Sequence, residues 1–478
     1  MSFQTINLLK IASESWPDNI AVFHNEEKTS FRKLYREVLL LNELLEFKIK
    51  LKGHGIGLVA GNNVNFINGL FACSGAGLVV MPIWKSLTAP EILSSIEQAS
   101  INMILIEGSN KTNFDTEHQR IQLNTYFDLL VFHTIRSESI TDKFEDAAFI
   151  RPSSGTTGNS KGVVISHQSV EERIIAANEG LQLNETDKVL WVLPMAFHFV
   201  VSIILYIKYG SAIIISDELY ADSILEEANR HKATLLYASP IHYRLLVVSA
   251  GNSKFTSLKK AICTSAGIER SIITDFEQKY GIPLTQAFGI IEIGLPIINT
   301  NNSKDHINST GKALASYRVT ILDDELNSTP PNTIGMLAIK GPGMFSGYLW
   351  PIQTIESVLQ RSWFITGDIA QISEDGYITI SGRKKSIINI SGNKVFPEEV
   401  ENILKLHPLI MDARVYRGSH PVTGETVEAE LILKRNSNLT QTEITAFCRD
   451  HLASIKIPQK VVFVKEIPKT KTGKTIRS

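Results

Sequence analysis

Cysteine is scarce in this chain: Cys73, Cys263 and Cys448 are the only three in 478 residues. They are scattered, odd in number and without metal-ligand spacing. That excludes a disulfide framework or a cysteine-held metal and fits a reducing compartment. Net charge is nearly absent too. The 48 lysines and arginines face 49 aspartates and glutamates, a formal −1 at pH 7. Nothing in that balance calls for nucleic acid or an anionic membrane as partner. The opening residues Met1–Thr5 lack a basic stretch leading into an apolar one, so no signal peptide is expected. Long hydrophobic runs are missing as well. The most apolar stretch, Phe197–Ile215, is interrupted by His198, Ser202, Lys208, Gly210 and Ser211, which points to buried core and not to a membrane span. A cytoplasmic location is the expectation. No repeat of fixed period and no low-complexity tract is visible.

What is present is length and alternation. A chain of 478 residues is too long for one ordinary core, so two or more domains are expected. Between about residues 55 and 300, short apolar runs read as strands: Ile56–Ala60, Leu78–Pro82, Met103–Ile106, Val189–Leu193, Ala212–Ile215 and Leu235–Tyr237. Amphipathic segments such as Ser169–Gly180 and Ala221–Lys232 read as helices between them. That alternation predicts an α/β core with helices covering a largely parallel sheet. Near residue 310 the texture turns β-rich: Tyr317–Leu322, Met336–Lys340 and Tyr377–Ser381 lie between Pro/Gly turns and predict a smaller β subdomain. After Gly382 comes the polar junction Arg383-Lys384-Lys385-Ser386, and then the pattern restarts. Pro397-Glu398-Glu399 opens a helix, Val427–Leu433 alternates as a half-buried strand, and Thr440-x-x-Glu443 is a capping-box start. This makes a small α+β domain of about 90 residues, large enough to fold alone.

The chemistry begins in the run Arg151-Pro152-Ser153-Ser154-Gly155-Thr156-Thr157-Gly158-Asn159-Ser160-Lys161-Gly162, directly after the apolar Ala147–Ile150. Glycines let backbone N–H groups approach an anion, hydroxyls add donors, and Lys161 supplies a point charge, so the run reads as a phosphate cradle. The P-loop order Gly, four residues, Gly-Lys-Ser/Thr fails around Lys161. It fails again at Thr472–Thr475, where Pro468 replaces the first glycine.

What Ser153–Gly162 resembles is the phosphate loop of the adenylate-forming superfamily: acyl- and aryl-CoA synthetases, peptide-synthetase adenylation domains and luciferases. The superfamily's proline is Ser160 here, and its following Ser/Thr-His pair is Ser166-His167. Further motifs occur in the same order over almost the whole chain. Ser15–Val22 resembles the N-terminal opening, Gly75–Pro82 an early strand ending in proline, and Gln286–Glu292 the Y-G-x-T-E motif. Gly335–Tyr348, Thr366-Gly367-Asp368, the hinge-and-loop group Gly382-Arg383 with Gly392, Pro397 and Glu399, and Pro468–Lys474 match the rest.

The resemblance implies a large N-terminal domain of α/β sheets plus a β subdomain (1–382), a hinge (383–386) and a small mobile α+β C-terminal domain (387–478). It implies ATP and Mg²⁺, with activation of a carboxylic acid to acyl-AMP. Negative charge gathers between two anions there, so fixed cations and donors are needed. By resemblance Lys474 bridges the carboxylate and the α-phosphate, and Glu292 places Mg²⁺. Lys161 and the hydroxyl and glycine residues Ser153, Ser154, Gly155, Thr156, Thr157 and Gly158 hold the outer phosphates. Phe288, beside Gly267 and Gly289, stacks on adenine, and Asp368 with Arg383 takes the ribose. Three positions depart from the pattern. Ile291 stands where a phosphate-contacting threonine is expected, Met336 replaces a common glutamate, and Ser386 replaces an acid after the hinge position Lys385. None removes an indispensable charge, so an active enzyme is expected.

In amino-acid-activating relatives an aspartate pairs the substrate ammonium early in the segment Met195–Ser202; that segment has no acid here. A buried ammonium would lack a partner, which argues against an α-amino acid. Phe197-His198 resembles the acyl-CoA synthetase version, in which the histidine shapes the acid site. Val201, Ala266, Ala287, Ile290 and Leu295 complete an expected lining that leaves room for a hydrophobic acid, fatty in preference to aromatic. The second half-reaction moves the acyl group to a phosphopantetheine thiol, of CoA or of a separate acyl carrier protein expected in trans. The C-terminal domain turns about Lys385 to exchange Lys474 for the loop holding Gly392. Two other outcomes stay open: a non-catalytic ATP- or acyl-ligand-binding homologue, and an adenylating enzyme whose product is not a thioester.

Overall fold

The computed structural model describes residues 4–108, 110, 112–152, 161–216, 218, 220–300, 306–390, 393–420, 424–435, 437–469 and 475–476. Among them, two nine-stranded sheets carry most of the chain. One runs in the order Lys312–Ala313, Gly294–Ile298, Leu284–Ile290, Lys260–Cys263, Leu235–Ala238, Lys188–Trp191, Ala212–Ile215, Ile20–His24, Glu27–Ser30. The other runs Gln353–Thr354, Gly347–Tyr348, Gly162–Ser166, Ala147–Pro152, Val79–Trp84, Gly55–Ala60, Met103–Glu107, Phe127–Val131, Gln119–Gln122. Their centres are parallel and their edges antiparallel, so the expected parallel core holds and the hairpins at its margins were not foreseen.

Central strands are buried on both faces, as parallel strands between helices must be. In Gly55–Ala60 every residue is buried; Ile56 and Leu58 join the main core, while Val59 joins a second one with Ile92, Ile96 and Ile104. Val189 and Trp191 pack into the main core and Leu190 into a third with Ile224 and Phe276. Each such side chain contributes about 1.5–3 kcal/mol of burial. The strand expected within Gly75–Pro82 is Val79–Trp84, with Pro82 in register beside Leu58, and Gly75 closes the preceding helix. The apolar stretch after Phe197 becomes a π-type turn at Val200–Ile204, a short helix at Leu205–Lys208 and the strand Ala212–Ile215, nearly all buried. It is core, as its interruptions predicted. Among the described residues no helix is long and apolar enough to cross a membrane.

The β-rich segment after residue 310 forms a four-stranded antiparallel sheet of Arg318–Leu322, Gly335–Lys340, Phe364–Ile372 and Ile378–Arg383. The polar junction is a single 3-10 turn, Lys384–Ser386, with Lys384 and Lys385 exposed. Beyond it the long hairpin Ile410–His420 and Gly424–Leu433 gathers its own core of Val400, Leu404, Val415, Leu431 and Ile444. The helix Gln441–Arg449 begins with the foreseen capping box: Thr440 N donates to Glu443 Oε2 at 2.8 Å, and Glu443 N donates to Thr440 Oγ1 at 3.3 Å.

Candidate functional site

The ends of these sheets enclose a cavity of about 530 Å³, within the range of small-molecule sites. Among the described residues its wall carries five cationic side chains, Arg151, Lys161, Arg173, Arg383 and Lys385, against one carboxylate, Glu292. Such an excess suits a polyanion.

Glu292 follows the strand Leu284–Ile290 in the turn that leads to Gly294–Ile298. Gly289 is needed for that turn, since a Cβ there would stand 2.8 Å from the carbonyl oxygen of Gly294. The backbone on either side of the carboxylate is pinned. Arg173, buried in the helix His167–Leu181, donates from Nη1 to Ile291 O at 3.0 Å and from Nε to Gly343 O at 2.9 Å. Phe345 N donates to Glu292 O at 2.8 Å. The carboxylate itself accepts from the Tyr348 hydroxyl at 3.2 Å. Burial, then the Glu292 charge, push the Tyr348 phenol upward, so it stays protonated and donating. Lys161 Nζ lies 4.1 Å from the centroid of the Tyr348 ring. Ile291, in place of a hydroxyl residue, lines the cavity and offers its backbone carbonyl to Arg173.

Asp368 and Arg383 face each other across adjoining antiparallel strands. Arg383 Nε meets Asp368 Oδ1 at 2.8 Å, and its Nη1 donates to Thr366 O at 3.1 Å. Asp368 is 4% exposed, and its N–H is held by Thr366 Oγ1 at 3.0 Å. The intervening Gly367 has φ +78°, a left-handed turn that a side chain would strain. Arg383 lines the cavity and Asp368 sits behind it.

Phe197, His198, Val201, Ile290 and Leu295 form the apolar side of the same cavity, as the sequence predicts. Gly289 lines it as well, and Lys385 stands at the turn where the second domain begins. Four expected residues are elsewhere. Ala266 and Gly267 are exposed beyond the cavity wall, Ala287 is buried within its sheet, and Phe288 packs against the main core. Ser153, Ser154, Gly155, Thr156, Thr157, Gly158, Gly392 and Lys474 lie outside the described residues. Sequence reasoning missed Arg151, Arg173, Tyr237 and Thr264. Arg173 had a signal: an arginine among the inward positions of an amphipathic helix needs carbonyl partners there. Tyr237, stacked on Trp191 at 6.3 Å with its pKa raised to about 12 by burial, had none beyond its strand.

An ion-pair chain links the two parts of the molecule. Glu269 accepts from Arg244 Nη2 at 2.7 Å and from Lys405 Nζ at 3.5 Å. Lys405 also reaches Asp412 at 3.4 Å, and Asp412 holds Lys469 Nζ at 2.7 Å. Lys469 opens the Pro468–Lys474 motif's basic run. Burial opposes the Asp412 charge, but Lys469 and Lys405 outweigh it and hold the carboxyl below its ordinary range.

Residues 9–349 match the family described as AMP-binding enzyme, and residues 399–474 match the AMP-binding enzyme C-terminal domain. The chain belongs to the AMP-binding enzyme family. The two matches together span most of the chain and make it an AMP-binding enzyme. A long-chain-fatty-acid–CoA ligase of Yersinia pestis is 25% identical over 526 residues, covering 99% of this chain and 93% of that protein. A 2-succinylbenzoate–CoA ligase of Bacillus cereus is 25% identical over 477 residues, covering 98% and 97%. Among solved structures, an o-succinylbenzoate CoA synthetase from Bacillus subtilis in complex with AMP superposes with a TM-score of 0.86 at 22% identity, covering 98% and 97%. An anthranilate CoA ligase with anthranoyl-AMP does so with a TM-score of 0.84 at 20% identity, covering 99% and 96%. These two likenesses show the fold. The residues present suit ATP and Mg²⁺: cations surround the cavity, and a lone carboxylate is what Mg²⁺ takes from protein when substrate phosphates supply its other oxygens.

Proposed function

We propose that this enzyme activates the carboxylate of a largely apolar acid to acyl-AMP and passes the acyl group to a phosphopantetheine thiol, of CoA or of a free-standing acyl carrier protein. The observation that carries the reading is one cavity in which Glu292, Lys161 and Arg383, backed by Asp368, meet the apolar wall of Phe197, Val201, Ile290 and Leu295. Both curated relatives being named CoA ligases supports it. A carboxylate oxygen attacks the α-phosphorus, the bond to the β-phosphate oxygen breaks, and pyrophosphate leaves. Lys161 and the residues 153–158 hold the outer phosphates, while Lys474 neutralises charge between the two approaching anions. Phe288, Gly267 and Gly289 border the adenine, and Asp368 accepts from ribose hydroxyls with Arg383 Nε held 2.8 Å from its Oδ1. Glu292 would hold Mg²⁺, which would supply further neutralisation of phosphate charge. His198 shapes the carboxylate end of the acid site, and Ala266 and Ala287 border it without forming its wall.

In the second step the thiolate sulfur attacks the acyl carbonyl, the bond to AMP oxygen breaks, and AMP leaves. Residues 1–382 and 387–478 act as two domains turning about 383–386, with Gly392 giving the pantetheine arm passage. A fatty acid is the favoured substrate over an aromatic one. The test is product analysis with ATP, a panel of acids, and either CoA or a loaded carrier protein. A thioester with one acceptor supports the reading. Retained ATP binding with no turnover, or release of acyl-AMP to amines or water alone, overturns it.

A further inference from the structure

Of the three arginines on the cavity wall, one has no hydrogen bond or ion pair among the described residues. Arg173 is bound by the carbonyls of Ile291 and Gly343, and Arg383 by Thr366 O and Asp368. Arg151 is not. It lies near the end of the strand Ala147–Pro152, two residues after Phe149, and so on the same face of the sheet. Phe149 packs its ring 5.1 Å from that of Phe199, which places this face toward the segment Phe197–Ser202. The guanidinium carbon stands 5.7 Å from the centroid of the Phe197 ring. Its Nε is buried and, among the described residues, has no hydrogen-bond partner. Among the described residues no carboxylate lies within ion-pair distance of it, and Glu292 acts on it only through space. Burial lowers its pKa to about 10, so it is still charged at neutral pH.

A guanidinium whose Nε is buried without a partner is costly, and an apolar side chain would serve a purely apolar acid better. Lys161 and Arg383 already stand by Tyr348 and Asp368, the phosphate and ribose ends of the site. Arg151 stands instead over Phe197, on the acid wall. We infer that Arg151 determines substrate specificity by pairing with a second carboxylate on the acid, so that the preferred substrate is a dicarboxylic acid with an apolar body. This rests on the ligase reading and narrows its substrate class.

The test compares matched acids of equal length with one or two carboxylates, hexanoate against adipate and octanoate against suberate, in ATP–pyrophosphate exchange. Wild type, Arg151→Met and Arg151→Lys are compared, with unfolding midpoints measured to confirm folding. Wild type is expected to favour the diacid by about tenfold or more in kcat/KM, the size of a lost charge-assisted pair. Arg151→Met removes that preference through the KM of the diacid, with the KM for ATP unchanged, and Arg151→Lys keeps part of it. A preference for monoacids that Arg151→Met leaves alone overturns the inference, as does a rise confined to the KM for ATP, which would put Arg151 on phosphate. Calorimetric binding of adipate and suberate separates the two readings. Binding that depends on Arg151 without exchange sinks the ligase reading alone, and absence of both sinks the two together.

Discussion

Replacing Tyr348 with phenylalanine removes one oxygen from the site and little else. The ring stays, so Lys161 keeps its position 4.1 Å from the ring centroid, and the packing of a residue 5% exposed is preserved. What is lost is the donor 3.2 Å from Glu292 Oε1. A hydrogen bond to a charged acceptor contributes about 1.5–3 kcal/mol. At 1.4 kcal/mol per factor of ten, that is roughly tenfold to a hundredfold in rate if Glu292 must be held in one rotamer during adenylation. Glu292 is only half-buried and water can partly replace the phenol, so the lower end of that range is expected. The assay is ATP–pyrophosphate exchange at several Mg²⁺ concentrations, because a loosened Glu292 should raise the Mg²⁺ required for half-maximal rate as well as lower kcat. A Tyr348→Phe enzyme within twofold of wild type in both would refute the claim that this bond positions the carboxylate.

Two further outcomes follow from the geometry. Glu269→Gln breaks the ion-pair contact between Lys405 and the first part of the chain; it should leave adenylation within a few-fold and change the ratio of thioester formation to adenylation, read by single-turnover kinetics of each half-reaction. Equal effects on both would remove that contact from domain alternation. His242, 3% exposed beside Ser239, has its pKa lowered to about 4 by burial. Its folded pKa lies below the unfolded value near 6.5, so the stability it contributes is present above pH 6.5 and is lost as pH falls toward 4, up to about 3 kcal/mol. Denaturant unfolding at pH 7 and pH 5 should show this loss, and His242→Asn should flatten it; an unchanged slope in the mutant would contradict the assignment.

Much of the architecture was legible because buried parallel strands write themselves as short apolar runs. Ala212–Ile215 is observed with the bounds the sequence predicts, and the capping box at Thr440 forms both of its bonds. Edge hairpins such as Ile20–His24 with Glu27–Ser30 were illegible, since half-exposed short strands carry little periodicity. Motifs of fixed order named Glu292, Arg383 and Phe197 as candidates, and all three line one cavity, with Asp368 behind Arg383. The residues that support them come from distant segments: Arg173 reaches Gly343 across 170 positions, and only folding brings them together. Arg151 was visible in the sequence but had no partner to declare its role. Ala266 and Gly267, expected at the acid and the adenine, are exposed on the loop after Lys260–Cys263, outside the cavity wall.

The central claim is that this chain couples an acid to AMP, and acid-dependent exchange of labelled pyrophosphate into ATP tests it most directly. Wild type should show exchange only when a suitable acid is added, and Lys474→Ala should abolish it while the protein still binds ATP. Exchange in the absence of acid, no exchange with any acid of the panel, or a fully active Lys474→Ala enzyme would contradict the account.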